Sequence, residues 1–261
     1  MSVTQPRSAL TRHLAAWWQR HVAQPAADVL LAQSCALCQL PSQGAPICSA
    51  CAQDLPILPP TRCPQCALPL DPAHQACPDC LRHRPNFDAA YAAWAYDFPI
   101  DSLIRDFKYG HHLYLGGFFA ERLARTLRQD FAASGQAQPD LIIPMPLHAN
   151  RLRTRGFNQA AEIARQLAKH LDIPCAFDAL IRVQDTPPQA GLHREERWRN
   201  LIGAFACPKP LTAAHVLLVD DVLTTGASLS ACADVLRAAG AHRVDVAVVA
   251  RTPEPGSRDA S

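Results

Sequence analysis

Eight cysteines between residues 35 and 80 fall into four C-x-x-C pairs, Cys35/Cys38, Cys48/Cys51, Cys63/Cys66 and Cys77/Cys80. Two thiolates three positions apart on a tight turn can reach one tetrahedral ion, and two such turns complete a closed four-sulfur site. Four pairs therefore supply two zinc ions. Both are expected to be structural, because an all-thiolate site keeps no open position for chemistry. Sequence order puts the first two pairs on one ion and the last two on the other; spacing alone also permits interleaving. Disulfides are the competing reading, but they need an oxidising compartment. A redox C-x-x-C would account for one pair and not for four in succession. His74 and His83 stand nearby as substitute ligands, although eight thiolates suffice. The stretch is otherwise Pro-rich and without long apolar periodicity, so it buries little surface and needs the metal as a staple.

The rest of the chain sets the compartment. No run approaches the roughly 20 apolar residues of a membrane-spanning helix. No unbroken apolar stretch follows Arg7 and Arg12, so no secretory signal is read and the expected location is cytoplasmic, where thiols stay reduced. The formal net charge is +2, which announces neither a nucleic acid nor a membrane surface. Arginine dominates the basic residues, and the lysines are Lys108, Lys169 and Lys209 alone. Residues 8–22 place Leu10, Leu14, Trp17, Trp18 and Val22 at helical spacing, with Arg12, Arg20 and His21 interspersed. Such a helix either makes a basic amphipathic contact or, as large apolar side chains favour, packs on the body.

From residue 91 the texture changes. Strands are expected at 91–98, 140–144, 216–219 and 244–250, and helices at 100–107, 115–131, 158–171 and 228–239. That alternation argues for an α/β fold with a mostly parallel sheet and helices on both faces. Hydrophobic residues make up 49% of the chain, enough for a real core. Cys175, Cys207 and Cys232 read as small core residues. Residues 184–200 break the rhythm, and a loop of that length inside a compact domain is usually functional.

The most informative segment runs Val216-Leu217-Leu218-Val219-Asp220-Asp221-Val222-Leu223-Thr224-Thr225-Gly226-Ala227-Ser228. An apolar strand ends in two carboxylates, then comes a loop of hydroxyl residues around a glycine, then a helix. Backbone N–H groups and the positive helix end suit a phosphate. Gly226 allows close approach, and Thr224, Thr225 and Ser228 add hydroxyls. There is no Walker lysine and no second dinucleotide-type glycine. The acids suit the vicinal hydroxyls of a ribose, provided the strand is already turning, since successive side chains point to opposite faces. The competing reading is a helix cap, with Asp221 or Thr225 at the N-cap. The acids are taken as exposed strand-end groups of little consequence for the core.

This segment resembles the 5-phosphoribosyl-1-diphosphate (PRPP) motif of type I phosphoribosyltransferases. The family commonly has Thr where this chain has Ser228, and the hydroxyl is kept. The resemblance implies that Asp220 and Asp221 meet the ribose hydroxyls, that Thr224, Thr225, Gly226, Ala227 and Ser228 hold the 5-phosphate, and that magnesium accompanies PRPP. Further segments narrow the family. They are Pro144-Met145-Pro146-Leu147-His148, Arg151, Arg155-Gly156-Phe157-Asn158-Gln159-Ala160, Phe107-Lys108-Tyr109, and Gln189 with Arg197 and Asn200. Together with the Cys pairs they resemble the ComF family, competence protein F, over nearly the whole chain from Val29 to Arg251. The resemblance implies a double zinc ribbon over 29–86 and a phosphoribosyltransferase-like domain over 87–252. An N-terminal extension, 1–28, and a disordered tail, 253–261, would flank them.

The same resemblance makes Met145, Pro146, Leu147, His148, Arg151 and Arg155 a diphosphate loop, which the guanidinium forks would serve by bidentate contacts. A solvated surface is the competing reading for its arginines. It also makes 184–200, with Gln189, Arg194, Arg197 and Asn200, the flexible loop that closes over PRPP and excludes water. The Arg/Trp mixture there, with His193, Trp198 and Arg199, equally suits single-stranded nucleic acid, or a structural flap.

Three functions follow. One is an accessory factor in DNA uptake for natural transformation that binds PRPP or a phosphorylated ribose and contacts single-stranded DNA or the uptake machinery. Another is a metabolic phosphoribosyltransferase with a nitrogenous acceptor. A third is a zinc-ribbon nucleic-acid binder with a nucleotide-sensing domain. The complete phosphate loop speaks against a dead domain, and the lack of a recognisable base-binding hood speaks against ordinary salvage. The first is preferred.

Overall fold

The computed structural model describes residues 34–110, 112–184, 201, 203–212 and 214–253. The chain divides into two compact units, the first ending at Asp54 and the second running from Leu55. The boundary falls between the second and third cysteine pairs.

In the first unit, Ser34 and Pro41 form an antiparallel bridge around the turn that carries Cys35 and Cys38. Gln39 adopts a left-handed conformation, φ 62°, and Cys35 N–H donates to Leu40 O at 2.8 Å. Helix α1 (Ser49–Gln53) follows, with the Cys48 sulfur accepting from Cys51 N–H at its start. The second unit opens with a copy of this arrangement. Arg62 bridges Pro69, Ala67 has φ 60°, Cys63 N–H donates to Leu68 O at 2.7 Å, and α2 (Pro78–Arg82) starts behind Cys77. The copies share a sequence, C-x-x-C-x-L-P, at Cys35–Pro41 and Cys63–Pro69. It is an internal repeat that extends beyond the bare cysteine spacing.

The remaining elements of the second unit are β1 (Ala89–Ala95), α3 (Ile100–Tyr109), α4 (Leu115–Ser134), β2 (Leu141–Pro144), α5 (Ala149–Arg155), α6 (Gln159–Leu171), β3 (Ile181–Arg182), β4 (Phe205–Ala206), β5 (His215–Leu223), α7 (Ala227–Ala238) and β6 (Arg243–Arg251). Four strands form a parallel sheet in the order β1-β6-β5-β2. Val216 and Leu218 of β5 and Val244, Val246 and Val248 of β6 pack in one core with Leu229, Cys232, Ala233 and Leu236 of α7. Alternation turns the buried Leu217 and Val219 to the other face. There α4 packs against α6, with α4 over β1 and β6, and α6 over β5 and β2. Helices thus cover both faces, as right-handed crossovers require. β3 and β4 make a short antiparallel pair, Ile181 opposite Ala206 and Arg182 opposite Phe205.

The open edge of β1 is covered by the chain around the third cysteine pair. Ala95 N–H donates to Pro56 O at 2.8 Å, Ala90 N–H donates to Pro64 O at 3.0 Å, and Ile57 bridges Trp94. The Arg62 guanidinium donates to Ala92 O at 2.9 Å and forks onto Asp130 of α4 at 2.7 and 2.8 Å. An edge so covered offers no template for another chain.

Several boundaries differ from expectation. β1 starts two residues earlier and ends at Ala95, where the chain turns and Asp97 N–H donates back to Ala95 O at 3.0 Å. β5 continues past Val219 through both acids to Leu223. The basic stretch after β2 contains α5 rather than loop alone. Of the three further cysteines only Cys232 is fully buried; Cys175 and Cys207 are half-buried. Residues 8–22, the segment 185–200 and the tail from 254 lie outside the described residues. No described helix is long and apolar enough to cross a membrane.

Candidate functional site

β5 carries Asp220 and Asp221 to the carboxyl end of the sheet, where ligands of open α/β folds bind. Asp220 is half-buried and Asp221 is buried. The Asp220 carboxylate accepts the Asp221 N–H at 2.8 Å. Burial, then the charge of Asp221, pushes the Asp220 carboxyl up to about 7, against the pull of the Asp221 N–H, Lys108 and Arg182. Asp221 takes a partner from α3, Lys108 Nζ at 2.6 Å. Burial works against the Lys108 charge, yet Asp221 and then Asp220 outweigh it and hold its pKa above the ordinary lysine value. The expectation of exposed, dispensable acids is therefore corrected: one of the two is an internal ion-pair partner.

The loop after β5 turns at Gly226, whose φ of 76° is costly for any side chain. A Cβ there would also lie 3.4 Å from Leu223 Cδ1 and 3.5 Å from the Phe87 ring. Gly226 itself is the N-cap of α7, with no side-chain capping bond. The reading of Asp221 or Thr225 as N-cap is thereby excluded, and the first-turn N–H groups of α7 carry no side-chain cap. Thr224 and Thr225 are exposed, Ser228 is half-buried, and Gly226 and Ala227 are buried. An uncapped helix start flanked by exposed hydroxyls has the donor geometry that suits an anion.

β2 brings the second loop alongside. Pro144 pairs with Val219, and Met145 N–H donates to Val219 O at 2.8 Å, one residue before Asp220. Met145 is buried against Cys232, 3.4 Å between sulfurs. Pro146, Leu147 and His148 are half-buried. His148 caps α5, its Nδ1 accepting from Asn150 N–H at 3.3 Å. Asn158 caps α6 and donates its amide to Met145 O at 3.0 Å, fixing the loop. Phe157 packs edge-on against Phe107. Arg155 is half-buried, donates to Gln159 Oε1 at 2.9 Å and Tyr109 OH at 3.3 Å, and stacks over the Tyr109 ring. Arg151 is half-buried on the same helix, and the exposed Arg153 folds back onto Asn150. The structure thus brings Asp220, Asp221, the phosphate loop and residues 145–148 to one end of the sheet. Gln189, Arg194, Arg197 and Asn200 lie outside the described residues; β3 and β4 are the strands that flank their segment.

Lys108 and Arg182 are site cations that the sequence did not single out individually. Lys108 entered the sequence reading only within the Phe107-Lys108-Tyr109 segment, without a role of its own. Arg182 lay in a strand too short to register.

The cysteines gather as two groups, Cys35/Cys38/Cys48/Cys51 and Cys63/Cys66/Cys77/Cys80, each with all sulfurs within 4.8 Å of one another. The pairs therefore join in sequence order, without interleaving. Sulfur separations of 3.8 Å (Cys38 to Cys48) and 3.5 Å (Cys66 to Cys77) match the edge of a tetrahedron with arms of about 2.3 Å. Hydrogen bonds from Cys66 and Cys80 hold the Cys63 thiol far below its ordinary value. The same crowding pushes Cys66 up to about 12 and Cys80 higher still. In the first cluster burial opposes the Cys35 thiolate, but backbone N–H groups of Cys38, Cys48 and Leu37 bring it down to about 6, while Cys48 and Cys38 push Cys51 up to about 12. Sulfurs competing for protons in this way fit a divalent ion that lets all four ionise together. The two groups fit two structural zinc ions.

The double zinc ribbon domain family matches residues 26–81, and the phosphoribosyl transferase domain family matches residues 153–260. Competence protein F of Haemophilus influenzae is 32% identical over 208 residues, 78% of this chain and 90% of that protein. DNA utilization protein YhgH of Escherichia coli K12 is 31% identical over 220 residues, 84% of this chain and 96% of that one. Among solved structures, a purine phosphoribosyltransferase from Pyrococcus horikoshii covers 53% of this chain and 77% of its own, at 19% identity and a TM-score of 0.33.

Proposed function

The chain belongs to the competence protein F family, and from that premise we propose that it binds PRPP or a related phosphorylated ribose and serves as an accessory factor in DNA uptake. The observation that carries the ligand half is the pairing, on one strand and the turn after it, of two carboxylates with an uncapped helix start. The helix start and the hydroxyls of Thr224, Thr225 and Ser228 suit the 5-phosphate. Asp220 and Asp221 suit the two ribose hydroxyls, which are donors seeking acceptors. Residues 145–148 with Arg151 and Arg155 face the diphosphate. Magnesium joins through diphosphate and ribose oxygens, since it takes few protein ligands. The DNA half rests on the family and on the arginines of α5, which are suited to phosphate rather than to base edges. The setting for both is the cytoplasm.

The test is genetic. In a naturally transformable host lacking this gene, the wild-type chain should restore transformation, and a chain carrying Thr225→Ala with Asp221→Asn should not, at equal protein abundance. Full restoration by the double variant would separate DNA uptake from the ligand site.

A second reading, transfer of the ribose to a nitrogenous acceptor, is favoured by one observation. Asp220 is held near pH 7, the range in which a general base works. The bond from ribose C1 to the diphosphate oxygen would break, a C1–N bond would form, and the acceptor's proton would leave to a carboxylate. Diphosphate release from PRPP in the presence of candidate acceptors decides it.

A further inference from the structure

Arg251, the last residue of β6, is buried, with 8% of its surface exposed. Its acceptors are backbone carbonyls and one hydroxyl, gathered from three segments. Nε donates to Cys66 O at 2.7 Å. Nη1 lies 2.8 Å from Thr224 O and 3.1 Å from Leu223 O, the carbonyls just ahead of Gly226. The same nitrogen shares its N–H groups with Thr252 O and Oγ1 at 2.8 and 2.9 Å. Thr252 N–H in turn donates to Leu223 O at 3.1 Å. One guanidinium therefore spans a residue of the second cysteine cluster and the entry to the phosphate loop.

Burying a guanidinium is expensive unless its N–H groups are satisfied. The planar fork presents several donors in fixed directions, so the three segments must keep their relative places for the set to be complete. Core packing reinforces the link. Ala67, next to Cys66, and Leu58 lie in the same buried cluster as Phe87, Leu223 and Ala227, and the Phe87 ring lines the space at Gly226. The Cys66 carbonyl is itself fixed by the turn that a metal ion closes, and such turns owe their order to the ion.

We propose that Arg251 is a positioning residue that couples metal occupancy of the Cys63/Cys66/Cys77/Cys80 cluster to the shape of the phosphate loop, so that the zinc there sets the affinity for the phosphorylated ribose. With the ion bound, Cys66 O anchors Nε, and the other end of the guanidinium holds Leu223 O and Thr224 O inward. That leaves the first N–H groups of α7 directed at the ligand. With the ion removed, the turn loosens, one anchor goes, and the loop carbonyls repair to water. Coupling of this kind travels through contiguous contacts with two arrangements. It rests on the ligand reading above only for its consequence, since the loop's order is measurable without any ligand.

The experiment uses the full-length protein in four states: wild type and Arg251→Lys, each with zinc and after chelation. Zinc content is checked by elemental analysis and folding by circular dichroism. Amide exchange over residues 224–229 reports the loop, and titration with ribose 5-phosphate reports the site. Chelation should speed exchange of the wild-type loop at least tenfold and weaken ribose 5-phosphate by about the same factor. Arg251→Lys with zinc bound should already show both effects, because lysine cannot reach both sides, and chelation should add little. The coupling is overturned if the chelated wild-type loop keeps its protection, or if chelation weakens Arg251→Lys by as large a factor as the wild type. Should Arg251→Lys fail to fold, exchange in the wild type alone decides. Should ribose 5-phosphate not bind the zinc-loaded wild type, the ligand reading fails while the exchange measurement still judges the coupling.

Discussion

Replacing Asp220 by Asn should stabilise the fold at alkaline pH while weakening the ligand. Burial and the neighbouring Asp221 push the Asp220 carboxyl from 3.8 up to about 7 in the folded protein. A carboxyl with a raised native pKa binds its proton more tightly folded than unfolded. Its contribution to stability is fully present below pH 3.8 and is lost as pH rises through about 7. One pH unit of difference between the two states corresponds to about 1.4 kcal/mol, so the interval sets a ceiling of about 4 kcal/mol on the cost of the ionised group at pH 8. Water at the half-exposed carboxyl and the adjacent Lys108 reduce the realised gain to about 1–2 kcal/mol. Asn preserves an oxygen for the Asp221 N–H, which Asp220 accepts at 2.8 Å, so no backbone donor is orphaned. Urea unfolding of wild type and variant at pH 5 and pH 8 is the assay. The variant's advantage should be small at pH 5 and reach about 1–2 kcal/mol at pH 8, while ribose 5-phosphate affinity at pH 8 falls about tenfold. A variant less stable than wild type at pH 8, or one whose advantage grows as pH falls, would refute the reasoning.

Lys108→Ala should cost about 2–4 kcal/mol in thermal or urea unfolding, because it leaves the buried Asp221 without its partner at 2.6 Å; a cost below about 0.5 kcal/mol would mean the pair is solvent-screened. Purified protein should carry about two zinc ions by elemental analysis. Cys63→Ser should lower the melting temperature of the sheet-containing unit, since the second cluster belongs to it; retention of two zinc ions and an unchanged melting curve would contradict this. Binding to single-stranded DNA should be weak and steeply salt-dependent. Changing Arg151, Arg153 and Arg155 to Ala should flatten the dependence of log affinity on log salt by roughly 0.7 for each phosphate no longer neutralised; an unchanged slope in a filter-binding series would place the DNA elsewhere.

Much of this architecture was legible because its signals are local. A C-x-x-C turn, an apolar strand ended by acids, and a Gly-centred helix start each declare themselves within a dozen residues. The sheet and its helices followed from periodicity, and the four-cysteine groups from spacing. The pairings that give the site its character were not legible, because they join residues distant in sequence. Lys108 reaches Asp221 from another helix, and Arg251 reaches back to Cys66 across the whole domain. The burial of Asp221 was hidden for the same reason: its ion-pair partner comes from α3, not from its own strand. β1 ended early at Ala95, where the chain turns and Asp97 N–H bonds back to Ala95 O, a local turn that the apolar run does not reveal. The twin C-x-x-C-x-L-P turns were visible as letters, but only the left-handed residues at Gln39 and Ala67 show that the two copies fold alike.

The central claim is that the strand-end acids and the loop after them select a phosphorylated ribose. Calorimetric titration of PRPP into the full-length protein, with and without magnesium, tests it most directly when repeated on Asp220→Asn and Asp221→Asn. The account predicts binding to the wild type that magnesium tightens, and binding about tenfold weaker in each variant, in line with the removal of a charged hydrogen-bond acceptor. No detectable binding to the wild type in the presence of magnesium, or equal affinity in all three proteins, would contradict it.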